Sequence, residues 1–270
     1  TGKVAMLTGA TGPIMSTITA CATGSASIVT GAMLIDSGRA DVAICGAVDF
    51  ALVKPIVAGF ATMNGAFKHK SRDDGFAPAQ ASRPFAKGRR GFVISEGAAA
   101  VILASREFAD ANGLGTGICL KGWSMTADAH HFVAPHEPTV RRCMAQSIDD
   151  AEISPTDIDS INAHATSTRT GDAVEYQAIR GIFGKKPPPV TANKSMTGHA
   201  MGASSAMETV MAIRSMRENR LLATLNYEPD PEMPADEIAT HTRRLEQEFV
   251  LKNAFGFGGC NCCMVFQRLS

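Results

Sequence analysis

The chain has 270 residues, 45% of them hydrophobic and 19% charged, with a formal net charge of zero. This length allows one large domain or two modest ones with a sizeable core. The balanced charge argues against nucleic-acid binding and against an acidic disordered tail. No apolar run is long enough to span a bilayer and the first residues lack a signal pattern, so we expect neither nucleic acid nor a membrane as partner.

The seven cysteines are an odd number, and they show neither C-x-x-C pairs nor zinc-like spacing with the histidines. This pattern predicts free thiols in a reducing, cytosol-like compartment. The run "CNCC" at 260–263 allows a metal site or a closing strand with small apolar side chains. We favour the strand and expect no metal, because free cysteine packs like a small hydrophobe.

The first part of the chain predicts an α/β arrangement. Residues 14–20 have the pattern of a short buried strand, 22–36 that of a buried helix, and 42–48 that of an apolar strand. Strand, helix and strand in this order predict a parallel α/β unit.

The remaining elements follow in chain order. Residues 64–91 are polar and rich in Gly and Pro, which predicts a long surface loop of the kind that is often functional. The later elements are two strand-like runs at 91–105, a helix at 105–112, a strand at 117–128, an amphipathic helix at 138–151, a strand leading into a loop at 157–168, a helix at 171–184, a strand approached at 187–195, a helix at 202–219 and a glycine hairpin between two strands at 249–269.

The opening "GKVAMLTGATGPIM" resembles the glycine-rich turn of a short-chain dehydrogenase. Pro13 and Met15 stand where that pattern should continue, and Asp36 fits the expected acidic position only loosely. Neither tyrosine is followed four residues later by the lysine of that family. We therefore rank this interpretation last.

Three short motifs carry candidate chemistry. Cys21 stands at the predicted start of a helix, whose N–H groups and dipole favour a thiolate. His164 follows a predicted strand in "NAHATSTRTGD", and Lys194 and His199 flank a turn in "NKSMTGHAMGA". Taken singly, a buried cysteine is usually inert packing and a histidine is usually structural. Two histidines at strand–loop junctions together with a helix-capped cysteine predict thiol chemistry with imidazole donors.

Four segments together resemble the active-site signatures of the β-ketoacyl-acyl carrier protein synthases, closest to the elongating class of dissociated systems. They are "TACATGSAS", "NAHATSTRTGDAVE", "NKSMTGHAMGASSA" and "NAFGFGGCN", and "ASRPFAKGRRGFVISEGA" resembles an intervening segment. The resemblance runs over essentially the whole chain. It implies an α/β thiolase fold of two similar halves, each a mixed sheet covered by helices, with residues 1–117 as the remainder of the N-terminal half and 118–270 as the C-terminal half.

The resemblance implies an acyltransferase of fatty acid biosynthesis that performs a decarboxylative Claisen condensation. Cys21 would take an acyl group from an acyl carrier protein as a thioester. Malonyl carrier protein would lose carbon dioxide, and the resulting carbanion would attack that thioester. His164 and His199 would stabilise the enolate oxygen, because fixed donors act most strongly in a dry pocket.

The resemblance also implies supporting residues. Lys194 and Glu175 would form a charge pair that orients the site, although a surface ion pair is the plainer interpretation. Thr166 and Thr168 would hold the phosphopantetheine arm, which arrives on the carrier protein, so no resident cofactor is expected.

The "FGFGG" turn would complete the site. The backbone N–H of Phe257 would be an oxyanion donor beside that of Cys21, and its ring would border the acyl pocket. Phe255 and Gly258 of the same motif would lie beside the substrate. A tight glycine turn without function is the alternative, because Gly permits positive φ.

Some positions depart from the family pattern. Ala165 replaces a usual glycine after the first histidine, which would cost stability if that position needs unusual backbone angles. Ala86 and Arg90 interrupt a typically acidic pattern, and Ser95 replaces a glycine before an acidic residue. These departures are typical of a diverged branch with unusual substrates.

Cys21 lies much nearer the start of this chain than the family's cysteine does. We therefore expect the C-terminal part of a longer protein, or a chain that works with a separate N-terminal piece, since missing strands would leave a hydrophobic sheet edge. The resemblance further implies a homodimer in the cytoplasm, or in an organelle stroma if a preceding segment carried a transit peptide.

Two other functions stay open besides the dehydrogenase. A non-catalytic chain-length partner subunit would typically lack the cysteine, which is present here. A thiolase would pair Cys21 with one histidine and a second cysteine such as Cys260, whereas two histidines favour decarboxylation. The basic runs at 68–76 and 87–90 could steer an acidic carrier protein, or could simply be solvated loop.

Overall fold

Short helices and strands alternate along the chain. The computed structural model describes residues 1–63, 65–68, 77–115 and 117–269. The helices are α1 (Gly2–Thr8), α2 (Thr23–Asp36), α3 (Lys54–Thr62), α4 (Arg106–Ala111), α5 (Glu137–Asp150), α6 (Arg169–Phe183), α7 (Lys194–Thr197) and α8 (Met201–Arg217). The strands are β1 (Val42–Asp49), β2 (Gly97–Ala104), β3 (Ile118–Ala127), β4 (Ser160–Asn162), β5 (Val190–Thr191), β6 (Arg220–Leu221), β7 (Arg243–Arg244), β8 (Phe249–Gly256) and β9 (Cys260–Arg268).

The main sheet has the order β3-β9-β8-β4-β5. β9 is antiparallel to both β3 and β8, whereas β4 is parallel to both β8 and β5. β1 and β2 form a separate antiparallel pair, as do β6 and β7. The predicted mixed α/β class is confirmed.

Two hydrophobic clusters give the molecule its layers. One lies between the main sheet and the helices α5 and α6, and the other joins α2 and α8 to the main sheet on one side and to β1 and β2 on the other. β9 serves both clusters, since Cys262 and Met264 face one and Cys263 and Val265 the other. The predicted closing strand at 260–263 is therefore confirmed, with alternate cysteines packed on its two faces.

Local sequence signals explain several element ends. The Ser105 side chain accepts a hydrogen bond from the N–H of Phe108 at 3.1 Å and so caps α4. α6 ends at Gly184, which has φ 68°. The β8–β9 turn places Gly258 at φ 82° and Gly259 at φ 75°, conformations that favour glycine over residues with a Cβ.

The predicted buried strand at 14–20 is wrong. The backbone there is irregular, and the side chains of Ile14, Met15 and Ile18 are exposed. A strand needs a neighbour for its N–H and C=O groups, and none of the described strands pairs with this segment. The predicted parallel unit of strand, helix and strand is wrong as well, because its first strand does not form and β1 instead pairs antiparallel with β2.

The predicted surface loop at 64–91 is partly wrong. Residues 64 and 69–76 lie outside the described residues. In the described remainder, Phe85 and Arg89 are buried, and the N–H of Phe85 donates to Asp172 at 2.8 Å. Polar, Gly-rich composition predicts irregular backbone, but its polar groups can be satisfied inside the protein as well as by water.

Two further predictions need adjustment or stay open. Of the two strand-like runs predicted at 91–105, only Gly97–Ala104 forms a strand, whereas Phe92 and Ile94 make single β-bridges. The division of the chain at 117/118 stays a prediction. α8 packs against α2, β1 and β2 as well as against β8, so the elements on both sides of that boundary share one core.

Candidate active site

Cys21 occupies a tight turn at the start of α2. The 3₁₀ turn Ala20–Ala22 runs directly into the helix, and Cys21 is 9% exposed. Ala20 has φ 48°, a left-handed conformation that persists only when the surroundings hold it. The β8–β9 hairpin does so, since a Cβ at Gly256 would lie 3.2 Å from the Cys21 nitrogen. The predicted helical start at Cys21 is confirmed.

Cys21 forms a close pair with His199. Its Sγ lies 3.1 Å from His199 Nε2, and His199 is 1% exposed. Burial raises the pKa of Cys21 to about 11, against the opposing effect of the Lys194 charge. Burial, followed by the Lys194 charge, lowers the pKa of His199 well below its ordinary value. Near pH 7 the pair is therefore a neutral thiol beside a neutral imidazole that can accept its proton.

Two backbone N–H groups act on the sulfur. Those of Phe257 and of Cys21 itself lower the pKa of the Cys21 thiol, against the larger effect of burial. One comes from the hairpin and the other from the nucleophile turn. Backbone N–H groups fixed in this way stabilise negative charge that develops at their focus. The oxyanion role of Phe257 stays a prediction.

His164 faces His199 across the site. The two ring centroids are 5.9 Å apart with an interplanar angle of 85°. The Phe255 ring packs against His164 at a centroid distance of 5.6 Å. Burial, followed by the Lys194 charge, holds the pKa of His164 well below its ordinary value. Both imidazoles are therefore neutral at pH 7.

Lys194 fixes the tautomer of His164. Its Nζ donates to the His164 carbonyl at 2.5 Å and lies 3.5 Å from His164 Nδ1. An ammonium group can only donate, so Nδ1 must be the acceptor. The ring proton then resides on Nε2, where it is available as a donor.

The predicted charge pair between Lys194 and Glu175 is wrong, as is the alternative of a surface ion pair. Lys194 Nζ instead pairs with Glu208 at 2.5 Å, and Lys252 Nζ binds the second oxygen of Glu208 at 2.8 Å. All three side chains are buried. Two ammonium groups therefore share one carboxylate directly behind His164.

Glu175 has a different role, because its carboxylate oxygens accept hydrogen bonds from backbone N–H groups. It accepts hydrogen bonds from the N–H groups of His164 at 2.8 Å and Ala165 at 2.7 Å. The side-chain amide of Asn253 adds a third at 3.0 Å. Burial raises the pKa of Glu175, whereas these donors favour its charged form. Ala165 does not have positive φ, so the loss of glycine there causes no left-handed strain.

The predicted substrate-binding residues fall at two places. The hydroxyls of Thr166 and Thr168 are 3.0 Å apart in the loop after His164. The Phe257 ring lies 6.5 Å from that of Phe132, and the Gly258 N–H donates to the Phe132 carbonyl at 2.7 Å. The hairpin tip and the loop after β3 therefore meet beside the site. The binding roles of these residues stay predictions.

The positions that depart from the family pattern lie close to the site. The N–H of Ser95 donates to the His199 carbonyl at 3.0 Å, while its buried Oγ has no hydrogen-bond partner. Ala86 is buried and Arg90 is half-buried. Nothing in the structure explains the serine at position 95.

Four residues of the site are not predicted from the motifs: Glu208, Lys252, Asn253 and Ser204. A signal existed for two of them. Glu208 is the only charge in the first three turns of α8, and Lys252 interrupts an apolar strand. Charged side chains are rarely buried unless they are paired, so each indicates a buried partner without revealing which residue it is.

The fold and the site define a class of protein. A buried thiol pairs with a neutral imidazole, two backbone N–H groups lower the pKa of that thiol, and a second neutral imidazole faces the first. Such a set supports acyl transfer through a thioester on Cys21. Across the described ranges of the chain, no group of three His, Cys, Asp or Glu side chains could hold a metal ion.

The chain belongs to the beta-ketoacyl synthase family. Residues 1–109 match the family model described as "Beta-ketoacyl synthase, N-terminal domain". Residues 118–228 match the one described as "Beta-ketoacyl synthase, C-terminal domain". The resemblance drawn from the four motifs is confirmed.

Curated relatives carry the same family name. The chain is 36% identical over 273 residues to the 3-oxoacyl-[acyl-carrier-protein] synthase 2 of Staphylococcus aureus (strain COL), which covers 99% of the chain and 64% of that protein. It is 37% identical over 259 residues to the protein of that name from Mycobacterium bovis (strain ATCC BAA-935 / AF2122/97), covering 94% and 61%. The chain thus spans less than two thirds of the length of these relatives.

Solved structures confirm the thiolase-like fold of ketosynthases. A beta-ketoacyl synthase from Burkholderia phymatum STM815 superposes with a TM-score of 0.92 at 33% identity over all of this chain and 65% of its own. A chain of the AntDE:AntF assembly, a type II PKS acyl-carrier protein in complex with its ketosynthase, gives 0.94 at 29% identity over 100% and 66%. Within the residues that the structure describes, none of the helices combines the length and apolarity needed to cross a bilayer.

Proposed function

We propose that the protein containing this chain condenses an acyl thioester with malonyl-acyl carrier protein to give a 3-oxoacyl-acyl carrier protein and carbon dioxide. One observation carries the proposal: Cys21 Sγ lies 3.1 Å from His199 Nε2, and a second neutral imidazole, His164, faces that ring at 5.9 Å. The names of the curated relatives support the same reaction.

The first half of the reaction loads Cys21. His199 Nε2 takes the thiol proton as Sγ attacks the acyl thioester carbonyl. The N–H groups of Phe257 and Cys21 would stabilise the oxyanion, a role supported by their lowering of the Cys21 pKa. The bond between the acyl carbon and the carrier sulfur then breaks, and the departing carrier thiolate takes the proton from His199.

The second half forms the carbon–carbon bond. Malonyl thioester loses carbon dioxide, and the N–H groups of His164 and His199 stabilise the enolate oxygen. The enolate carbon attacks the acyl carbonyl on Cys21, and the Cys21 carbon–sulfur bond breaks. Cys21 leaves as a thiolate and takes up one proton from solvent, the proton that the overall reaction consumes. Neutral imidazoles suit this task, because their burial holds their pKa values low.

The neighbouring residues would act indirectly. Lys194 would hold His164 as the Nε2–H donor, and Glu175 would fix the backbone of the His164 loop. Thr166 and Thr168 would hold the phosphopantetheine arm of the carrier, the only cofactor-like group in the scheme. We further propose a cytoplasmic homodimer whose chain divides near residue 117.

An acyl carrier protein is the proposed partner, and the AntDE:AntF assembly supports it by likeness. Of the two basic runs, most of 68–76 lies outside the described residues. In the run 87–90, Arg89 is buried and pairs with Asp230 at 2.7 Å, so it cannot steer a partner, whereas Lys87 is exposed. Carrier affinity that is unaffected by added salt would count against charge steering.

The full-length protein tests the proposal when it is supplied with acyl and malonyl carrier proteins and the carriers are then weighed by mass spectrometry. We expect a 3-oxoacyl carrier from the wild type and from Cys119→Ser, a control that removes a half-buried thiol of β3. Cys21→Ala should give none. A folded wild type that binds the carrier without condensing would support the non-catalytic partner subunit instead.

A further inference from the structure

Ser204 lies directly behind His199 and has no role in the scheme above. It belongs to the first turns of α8 and is buried. Its Oγ is 3.0 Å from His199 Nδ1, on the opposite side of the ring from Cys21. The backbone N–H of Ala200 donates to the same Oγ at 2.7 Å. Cys21, His199 and Ser204 thus form a continuous hydrogen-bonded row.

The hydrogen-bonding capacity of a hydroxyl determines what Ser204 can offer. A serine hydroxyl has one donor and two acceptor positions. The Ala200 N–H fills one acceptor position, which leaves one acceptor and the O–H for His199. Ser204 can therefore accept from Nδ1–H or donate to a bare Nδ1 by rotating its O–H, with no movement of heavy atoms. A backbone N–H in the same place could only donate.

The two halves of the proposed reaction need opposite tautomers of His199. Taking the Cys21 proton requires a bare Nε2 and hence a proton on Nδ1. Donating to the enolate oxygen requires the proton on Nε2. His164 does not face this conflict, because Lys194 holds its Nδ1 as an acceptor.

We propose that Ser204 is a positioning residue that stabilises both tautomers of His199, so that one imidazole accepts the thiol proton during loading and donates a hydrogen bond during condensation. The inference rests on the proposed function for its second half only. Between the halves the ring exchanges protons with water while the first carrier leaves: Nε2 gains one proton and Nδ1 loses one, so the charge of the ring is unchanged.

Other titratable groups also face this row. Lys194 of α7 acts on both Cys21 and His199, Asp49 at the end of β1 opposes ionisation of Cys21, and His164 faces the His199 ring. None of these three groups occupies His199 Nδ1. The hydrogen bond at His199 Nδ1 is therefore made by Ser204, which accommodates either tautomer.

The test uses alkylation of Cys21 by iodoacetamide, followed by peptide mapping from pH 6 to pH 11 on the full-length protein. In Ser204→Ala we expect alkylation at pH 7 to slow about tenfold, as the loss of one neutral hydrogen bond implies. At pH 11 the rate should equal that of the wild type, because the thiolate then forms without His199. A general distortion of the site would instead lower both rates.

Ser205→Ala is the matched control. Ser205 is the next residue of α8 and equally buried, but its hydroxyl accepts from the Ser25 N–H at 3.0 Å and does not contact His199. We expect its alkylation rate to stay within about twofold of the wild type at every pH. Thermal unfolding of each variant confirms that it is folded.

Two results would overturn the role of Ser204. One is an alkylation rate of Cys21 at pH 7 in Ser204→Ala that equals that of the wild type. The other is a rate at pH 7 in Ser205→Ala that falls as much as in Ser204→Ala. Malonyl decarboxylation should also fall about tenfold in Ser204→Ala, and an unchanged rate would refute the donor half of the proposal. Since alkylation needs no carrier protein, a wild type that never condenses would refute the proposed function while the pH profile still decides the role of Ser204.

Discussion

Replacing Glu208 by glutamine would leave two buried ammonium groups without their shared carboxylate. Lys194 lies 2.5 Å and Lys252 2.8 Å from the two oxygens of Glu208, and none of the three is more than 1% exposed. The amide of Gln has the same shape but no charge, and its nitrogen would face one of the ammonium groups. The substitution therefore changes electrostatics with little change in packing.

The expected cost follows from burial. Removing one partner of a buried ion pair costs about 3–5 kcal/mol, because the remaining charge stays in a poorly solvating medium. Two cations are left here, so we expect the upper end, about 4–5 kcal/mol. Domains of this kind are stable by about 5–15 kcal/mol, so Glu208→Gln should remove a large part of the free energy of unfolding.

Urea unfolding followed by two spectroscopic probes measures this cost. The control is Glu218→Gln at the C-terminal end of the same helix. The Glu218 side chain is 45% exposed and that of its partner Arg214 is 72% exposed, so this ion pair should contribute only about 0.3–0.5 kcal/mol. A loss below about 1 kcal/mol in Glu208→Gln, or equal losses in both variants, would refute the argument that the triad is a buried charge cluster.

Three further predictions concern the same region. Lys252→Met leaves the Lys194–Glu208 pair intact, so urea unfolding should show a decrease of about 1–3 kcal/mol in the free energy of unfolding. A decrease as large as that of Glu208→Gln would contradict this expectation. Gly256→Ala places a Cβ 3.2 Å from the Cys21 nitrogen and should slow acyl loading at least tenfold, whereas Gly59→Ala in α3 meets nothing within 4 Å and should leave loading unchanged. Burial lowers the pKa of His164 and His199, so the unfolded chain binds more protons than the folded one below about pH 6.5, and stability falls with pH by up to about 1.4 kcal/mol per unit for each histidine. Lowering the pH below about 6.5 therefore reduces stability through the two histidines, whereas the raised pKa values of Asp172 (about 7) and Glu175 act in the opposite direction. The comparison is with the double variant His164→Asn/His199→Asn, whose stability should fall less steeply as the pH is lowered. Parallel slopes would contradict the prediction.

The site was largely predictable because its residues sit at the ends of regular elements. Cys21 lies in the turn that leads into α2, His164 follows β4, and Lys194 and His199 flank the turn before α8. Helix starts and strand ends leave local signals in small, capping and glycine residues, so these positions could be found from the sequence. Their convergence on one point required the resemblance, because spacing along the chain does not give distance in space.

The ion-pair and hydrogen-bond partners of the acidic residues in the site could not be predicted in the same way. Glu175 and Glu208 are both acidic residues on helices, and only the packing of α8 against β8 decides that Glu208 faces Lys194 and Lys252. Glu175 instead accepts hydrogen bonds from the backbone N–H groups of the His164 loop. Long-range pairing of this kind depends on tertiary structure.

The failed strand at 14–20 has a related cause. Its apolar, β-branched residues satisfy the composition of a strand, but sheet formation depends on a partner elsewhere in the protein. Likewise, the loop before β2 is polar yet partly buried, because Asp172 accepts a hydrogen bond from the N–H of Phe85. Composition indicated that the backbone of this loop is irregular, but not which groups form hydrogen bonds with it.

The most direct test of the account is the intact mass of the full-length protein after incubation with an acyl carrier protein thioester, followed by peptide mapping. The account predicts a gain of one acyl group on Cys21, a much slower gain in His199→Asn, and no gain in Cys21→Ala. A folded wild-type protein that gains no acyl group, or that gains it on another cysteine, would contradict the assignment of Cys21 as the nucleophile.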